Sequence, residues 1–222
     1  GTYELLKLAP AGVFSIFISG IAHGAMFSMG AVFAVKSGLS VSETALFMSS
    51  FIAVGALAQW PLGWLSDQID RRLVILGSGI LAALLSLLML QFDSSDKAFF
   101  LVYAALGAVS LPIYSISVAH TNDRLKPEQM TSASSTIIMV LGFGSILGPT
   151  IAGYLLRQLG PEGFLIHIAS AHALLALSMA WFIFKREAVA QEDQTHYQTV
   201  PARATVVAME AIAQEAEESQ EE

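Results

Sequence analysis

Cysteine is absent from the 222 residues, so disulfides and thiolate-held metal sites are excluded and redox usage says nothing of compartment. Charge is scarce too: 13% of residues are Asp, Glu, Lys or Arg against 55% apolar ones, and mean hydropathy is +0.63. A water-soluble domain does not have this composition. The few charges are unevenly spread. Residues 1–186 hold ten Lys or Arg and nine Asp or Glu, whereas residues 187–222 hold one Arg and nine acids. The net charge of −7 therefore belongs to the tail, no basic patch exists, and nucleic acid is excluded as a partner. No carboxylate lies in the centre of an apolar run, and no catalytic, metal-ligand or cofactor pattern is found.

What the chain does have is six apolar runs, at about 10–35, 44–64, 73–92, 98–120, 131–156 and 164–184. Each approaches or exceeds the roughly 20 residues that cross a hydrocarbon core as a helix. The first is too long for a cleaved signal peptide, and it lacks a basic leader and a small-residue cleavage site. The expected fold is an all-α membrane protein of six transmembrane helices in a lipid bilayer. It is followed over 187–222 by a polar tail that is disordered or weakly helical around 206–214. A regulatory or partner-binding role for the tail is an open alternative.

Basic residues are retained on the cytoplasmic side. One side holds Lys7, Arg71, Arg72, Arg124, Lys126, Lys185, Arg186 and Arg203, and the other holds Lys36, Lys97 and Arg157. Both termini are then expected on the cytoplasmic side of a plasma membrane.

Residues 63–72, Gly-Trp-Leu-Ser-Asp-Gln-Ile-Asp-Arg-Arg, pack four charges between the second and third runs. Gly63 permits close helix approach. Asp67 sits where a carboxylate accepts hydrogen bonds from Arg71 or from the free amides of another helix's N-terminus. A plain charged turn obeying the positive-inside rule is the simpler reading. Gly63, Leu65, Ser66, Asp67, Arg71 and Arg72 together resemble the loop signature of the major facilitator superfamily, Gly-x-Leu-Ala-Asp-Arg-x-Gly-Arg-Lys. Gln68 and Asp70 depart from it. Residues 38–43, 59–63 and 114–120 look like the C-terminal halves of YcaD-like bacterial members.

The resemblance implies six helices equivalent to the last six of twelve, a missing N-terminal six-helix half as partner, and transport of a small-molecule solute by alternating access. It also implies that the 63–72 cluster latches a cytoplasmic gate against that other half. Assignment to the N-terminal half competes, because residues 144–153 match the Gly-x-x-x-Gly-Pro-x-x-Gly-Gly pattern that antiporters of the family carry on helix five. A start at Gly1 without methionine and a free polar tail favour the C-terminal half and a fragment.

Polar residues at membrane depth mark candidate substrate or proton paths. His23 shares a helix face with Ser19, Gly20, Phe27 and Gly30. Gly107, Ser110, Tyr114, Ser117 and Thr121 form a stripe beside Pro112, and Gln59 lies one turn before Gly63. Interhelical hydrogen bonding and packing are the plainer readings of each. Gly144, Gly148, Pro149 and Gly153 read as a bending element or a close-packing seam. His120, Asp123 and Glu128 bracket the next cytoplasmic turn as gate or cap residues, while His167 and His172, with no evident polar partner, read as packing residues. Two further functions remain open. One is a stand-alone six-helix protein that dimerises or scaffolds a partner. The other is an intramembrane enzyme using His23 and serines of the fourth run.

Overall fold

The computed structural model describes residues 2–185, 187–190 and 193–200. The helix expected around 206–214 lies outside the described residues. A short α1 (Thr2–Leu8) leads into six long helices: α2 (Pro10–Lys36), α3 (Val41–Gln68), α4 (Arg71–Leu88) with a 3₁₀ turn over Met89–Gln91, α5 (Lys97–Asn122), α6 (Pro127–Leu159) and α7 (Pro161–Lys185). Six of these segments are long and apolar enough to cross a membrane, and the chain is a multi-pass, all-helical membrane protein.

The helices overrun the apolar runs because their ends are capped. Ser40 and Glu43 form a capping box, Ser40 N–H donating to Glu43 Oε2 at 2.8 Å and Glu43 N–H to Ser40 Oγ at 3.3 Å, which starts α3 ahead of its hydrophobic stretch. Pro10, Pro127 and Pro161 open their helices, where the ring's fixed φ suits the first turn. Gly38 and Gly160 take positive φ, +96° and +70°, at the turns after α2 and α6, where other residues would be strained. At 63–72 the helix continues to Gln68, so only Ile69 and Asp70 separate α3 from α4. Asp70 makes this sharp break possible by accepting Arg72 N–H at 3.0 Å as the N-cap of α4.

Packing follows three principal pairs: α2 on α6, α3 on α5 and α4 on α7. Exchanging α2–α4 with α5–α7 turns the first pair into the second and leaves the third in place. That is the contact pattern of two three-helix repeats related by a two-fold axis. The seams of the first two pairs are built from small residues. A Cβ on Gly144 would come within 3.0 Å of Gly20 Cα, and one on Gly148 within 3.1 Å of Ala25 N. Across the other seam, one on Gly107 would lie 2.9 Å from Phe51 C. Backbones this close gain dispersion contacts that larger residues would forbid. Pro149 is interior to α6, and the Gly153 seat is looser, since a Cβ there would meet Met29 Sδ at 3.7 Å.

The two ends of the bundle differ in chemistry. At one end, beside the turns at Ser37, Ser94 and Pro161, aromatic rings from four helices stack. Phe33 lies 4.6 Å from Phe164, and Phe47 lies 3.7 Å from Tyr103 and 5.3 Å from Phe99, measured between ring centroids. The other end, called here the hinge end, gathers the α3/α4 turn, the end of α5 and the segment following α7. Outward faces carry exposed Leu57, Trp60 and Trp64 on α3 and Leu177, Trp181 and Phe184 on α7. Such residues suit hydrocarbon rather than water.

Candidate functional site

Arg71 is the centre of the hinge end. Its side chain is fully buried and donates from Nε to Asp123 Oδ2 at 2.8 Å, and from Nη1 to Asp67 Oδ1 and Ser66 Oγ, both at 2.9 Å. Nη2 donates to the carbonyl of Thr195. Ser66, itself buried, donates its hydroxyl hydrogen bond to the Gly63 carbonyl at 2.7 Å. A buried guanidinium is tolerable because its N–H groups meet acceptors and two carboxylates supply the opposite charge. Arg72 is clamped separately, with Nη2 on Asp70 Oδ2 at 2.7 Å and Nη1 on the Phe182 carbonyl of α7 at 3.3 Å. Burial works against the Asp70 charge, but hydrogen bonds from the Arg72 side chain and backbone outweigh it and hold the carboxyl below its ordinary range. Leu65 is exposed on the outer face. His120 is buried among Asp70, Arg71, Arg72 and Arg124. The Glu128 side chain is outside the described residues.

The spacing that suggested an Asp67–Arg71 contact is realised, and the second carboxylate comes from Asp123, 52 residues away. Two further partners come from the tail. Thr195 donates from N and Oγ1 to Asp123 Oδ1 at 2.9 and 2.8 Å, and Tyr197 N–H reaches Asp67 Oδ1 at 3.1 Å. Asp67 is therefore not left waiting for a contact outside the chain. Within the polar tail, the described residues 193–200 lie against the bundle with Val200 buried, because their backbone groups find partners there.

A second polar cluster lies in the membrane interior, where α2, α5 and α7 meet. His23, Ser110 and His172 are all buried. His172 Nδ1 lies 2.8 Å from the Ile168 carbonyl, which accepts only, so Nδ1 carries the proton and Nε2 is the acceptor. Ser110 Oγ, 2.8 Å from that Nε2, is therefore its donor. His23 Nε2 lies 3.0 Å from the Ser110 carbonyl and 3.3 Å from its Oγ, and by the same reasoning donates to both. The network fixes these tautomers. His23 Nδ1 is then left as a buried acceptor with no partner among the described residues, and Ser19 Oγ one turn earlier has none either.

Of the stripe on α5, Ser110 belongs to this cluster, while Ser117 pairs with Ser15 at 2.5 Å and back-bonds to the Ile113 carbonyl at 2.6 Å. Tyr114 is packed among apolar side chains of α2 and α6, and Gln59 accepts from Tyr197 Oη at 2.6 Å. His172 is the correction: far from lacking a polar partner, it accepts from Ser110, since the fold brings α7 against α5. Ser115, off the stripe, was missed and is the residue that holds Val200, its Oγ donating to the Val200 carbonyl at 2.9 Å.

Six apolar crossings around a buried polar centre, closed at one end by an ionic network, define a polytopic helical membrane protein. The sequence profile of the Major Facilitator Superfamily matches residues 10–213, and the chain belongs to that family of transporters. It is 27% identical over 178 residues to the uncharacterised MFS-type transporter YcaD of Escherichia fergusonii, covering 79% of this chain and 46% of that one. The corresponding protein of Escherichia coli O17:K52:H18 is 28% identical over the same shares, and that of Salmonella paratyphi B is 26% identical over 78% of this chain and 44% of its own. The chain spans about half the length of the curated relatives it matches.

Proposed function

We propose that this chain forms one six-helix half of a secondary transporter that moves a small solute across a bacterial inner membrane by alternating access, with both ends of the described bundle on the cytoplasmic side. The observation that carries the reading is the Asp67–Arg71–Asp123 network, placed where the family signature lies and built from bonds that a tilt of two helices makes or breaks. The other six-helix half would rest against the sparsely buried α3 and α6. The solute path passes the His23–Ser110–His172 cluster, where the unpartnered His23 Nδ1 suits a solute that donates a hydrogen bond, or a proton.

One geometric feature favours an enzyme enough to be weighed. Ser110 and His172 have the hydroxyl-to-imidazole contact of a nucleophile and its base. But Ser110 lies inside α5, where backbone N–H groups are committed to the helix and cannot form an oxyanion hole, and its side chain is completely buried. The contact is better suited to positioning histidines than to attack.

The test is Asp67→Asn in the full-length protein reconstituted in vesicles, with flux followed for the solutes that the unaltered protein is found to carry. Slower flux at normal expression supports the reading. Unchanged kinetics would remove the gate from the network, and absence of flux for any solute with the unaltered protein would remove transport.

A further inference from the structure

The segment at 195–200 is bound as a ligand is bound. Thr195 uses its amide, hydroxyl and carbonyl on Asp123 and Arg71. Tyr197 uses its amide on both oxygens of Asp67, at 3.1 and 3.2 Å, and its phenol on Gln59. Val200 exchanges hydrogen bonds with Ser115, its N–H donating to Oγ at 3.2 Å and its carbonyl accepting at 2.9 Å. The contacts fall at 195, 197 and 200, and each terminates on α3, on α5, on Asp123 just beyond it, or on Arg71 at the start of α4.

Shape agrees with chemistry. The Tyr197 ring lies so tightly over Gly63 that a Cβ there would fall within 2.8 Å of Tyr197 Cγ. Glycine is thus the floor of the ring's seat. Val200 is 3% exposed and packs with Tyr114 and Val118, about two helical turns inward from the end of α5. Burial also pushes the Tyr197 phenol up from its ordinary range, so it remains a donor to Gln59. The two carboxylates around Arg71 outnumber its charge, and the Thr195 and Tyr197 donors satisfy the lone pairs that Arg71 leaves over. A half-satisfied buried network is costly, so the segment completes it.

We propose that the face formed by α3, α5 and Arg71 at the hinge end is a binding site for a short peptide segment, and that its occupant is the chain's own segment 195–200. The segment takes the faces of Asp67 and Gly63 that a second six-helix unit would need in order to close on this end. Occupancy and closure are therefore mutually exclusive, and the segment acts as an internal brake that must leave before the end shuts. Docking does not depend on the transport reading; the effect on closure does.

The experiment uses the full-length protein in detergent, with native cysteines replaced if the rest of it contains any. In Ser115→Cys with Val200→Cys, oxidation should cross-link the pair, and Ser94→Cys with Val200→Cys, at the opposite end, should not. With Gln59→Cys as reporter, deletion of 194–200 should speed maleimide labelling on the order of tenfold, as expected when several hydrogen bonds to the site are lost. A synthetic peptide of residues 193–200 should restore protection, and the same peptide with Tyr197→Ala should not. No cross-link above the control pair, or a labelling rate indifferent to both deletion and peptide, would overturn the site. If docking is seen and flux with 194–200 deleted equals that of the intact protein, the brake is overturned; faster flux supports it.

Discussion

Arg71 and Asp123 are 2.8 Å apart and both almost wholly removed from solvent, so the start of α4 and the end of α5 are fastened by one buried ion pair. Removing the acid leaves the buried Nε–H without an acceptor and Asp67 as the one remaining counter-charge among the described residues. Asp123→Ala should cost about 3 kcal/mol, seen as a marked drop in the thermal unfolding midpoint of the purified protein. Asp67→Ala should cost less, since Asp67 is 22% exposed and water can take its place beside Arg71.

Ser110 holds two histidines at once. Ser110→Ala deprives His172 Nε2 of its donor in a dry site and should lower stability by about 1–2 kcal/mol. Ser110→Thr, which keeps a hydroxyl, should lose less. Thermal unfolding of the two variants side by side is the measurement, and equal losses would mean that the hydroxyl matters only as volume.

The seam between α2 and α6 can be tested with two glycines on the same helix. A methyl on Gly148 would strike the backbone of Ile21 and Ala25, whereas one on Gly142 meets nothing within 4 Å. Gly148→Ala should reduce yield and melting temperature. Gly142→Ala should leave both unchanged or raise stability by up to about 1 kcal/mol, because Ala is the better helix former.

Asp70 gives a pH dependence with a definite sign. Its carboxyl is held below the ordinary range in the folded protein, so its contribution is present at neutral pH and lost as pH falls through that depressed value. Asp70→Asn should therefore be less stable than the unaltered protein at pH 7, and the gap should narrow on acidification. A gap constant down to pH 3 would show that the cap works without its charge.

The six crossings were legible because uninterrupted apolar runs have few other uses, and the hinge was legible because Asp67 and Arg71 stand four residues apart, in reach along one helical turn. Asp123 could be named only as a gate or cap residue, since nothing local says which turn it will meet. The Ser110–His172 bond was hidden for a similar reason: Ser110 stands out on the α5 stripe, but His172 looks like an ordinary packing residue until the fold brings the two side chains together. Segment 195–200 was the hardest to read. It binds largely through amides and carbonyls that every residue possesses, and its side-chain hydrogen bonds, from Thr195 to Asp123 and from Tyr197 to Gln59, reach partners far away in sequence.

In the proposed transport cycle the aromatic stack at the far end would serve as a fulcrum. Its rings join α2, α3, α5 and α7 through broad, non-directional contacts, which tolerate small rotations, unlike the angular bonds around Arg71. From Tyr103 to Thr121 along α5 is about 27 Å at 1.5 Å per residue. A rotation of roughly 10° about the rings then swings the opposite end through about 5 Å. That arc exceeds the reach of every hydrogen bond to Arg71, so in the proposed cycle a small pivot at the oily end would be amplified into an all-or-none break at the ionic one.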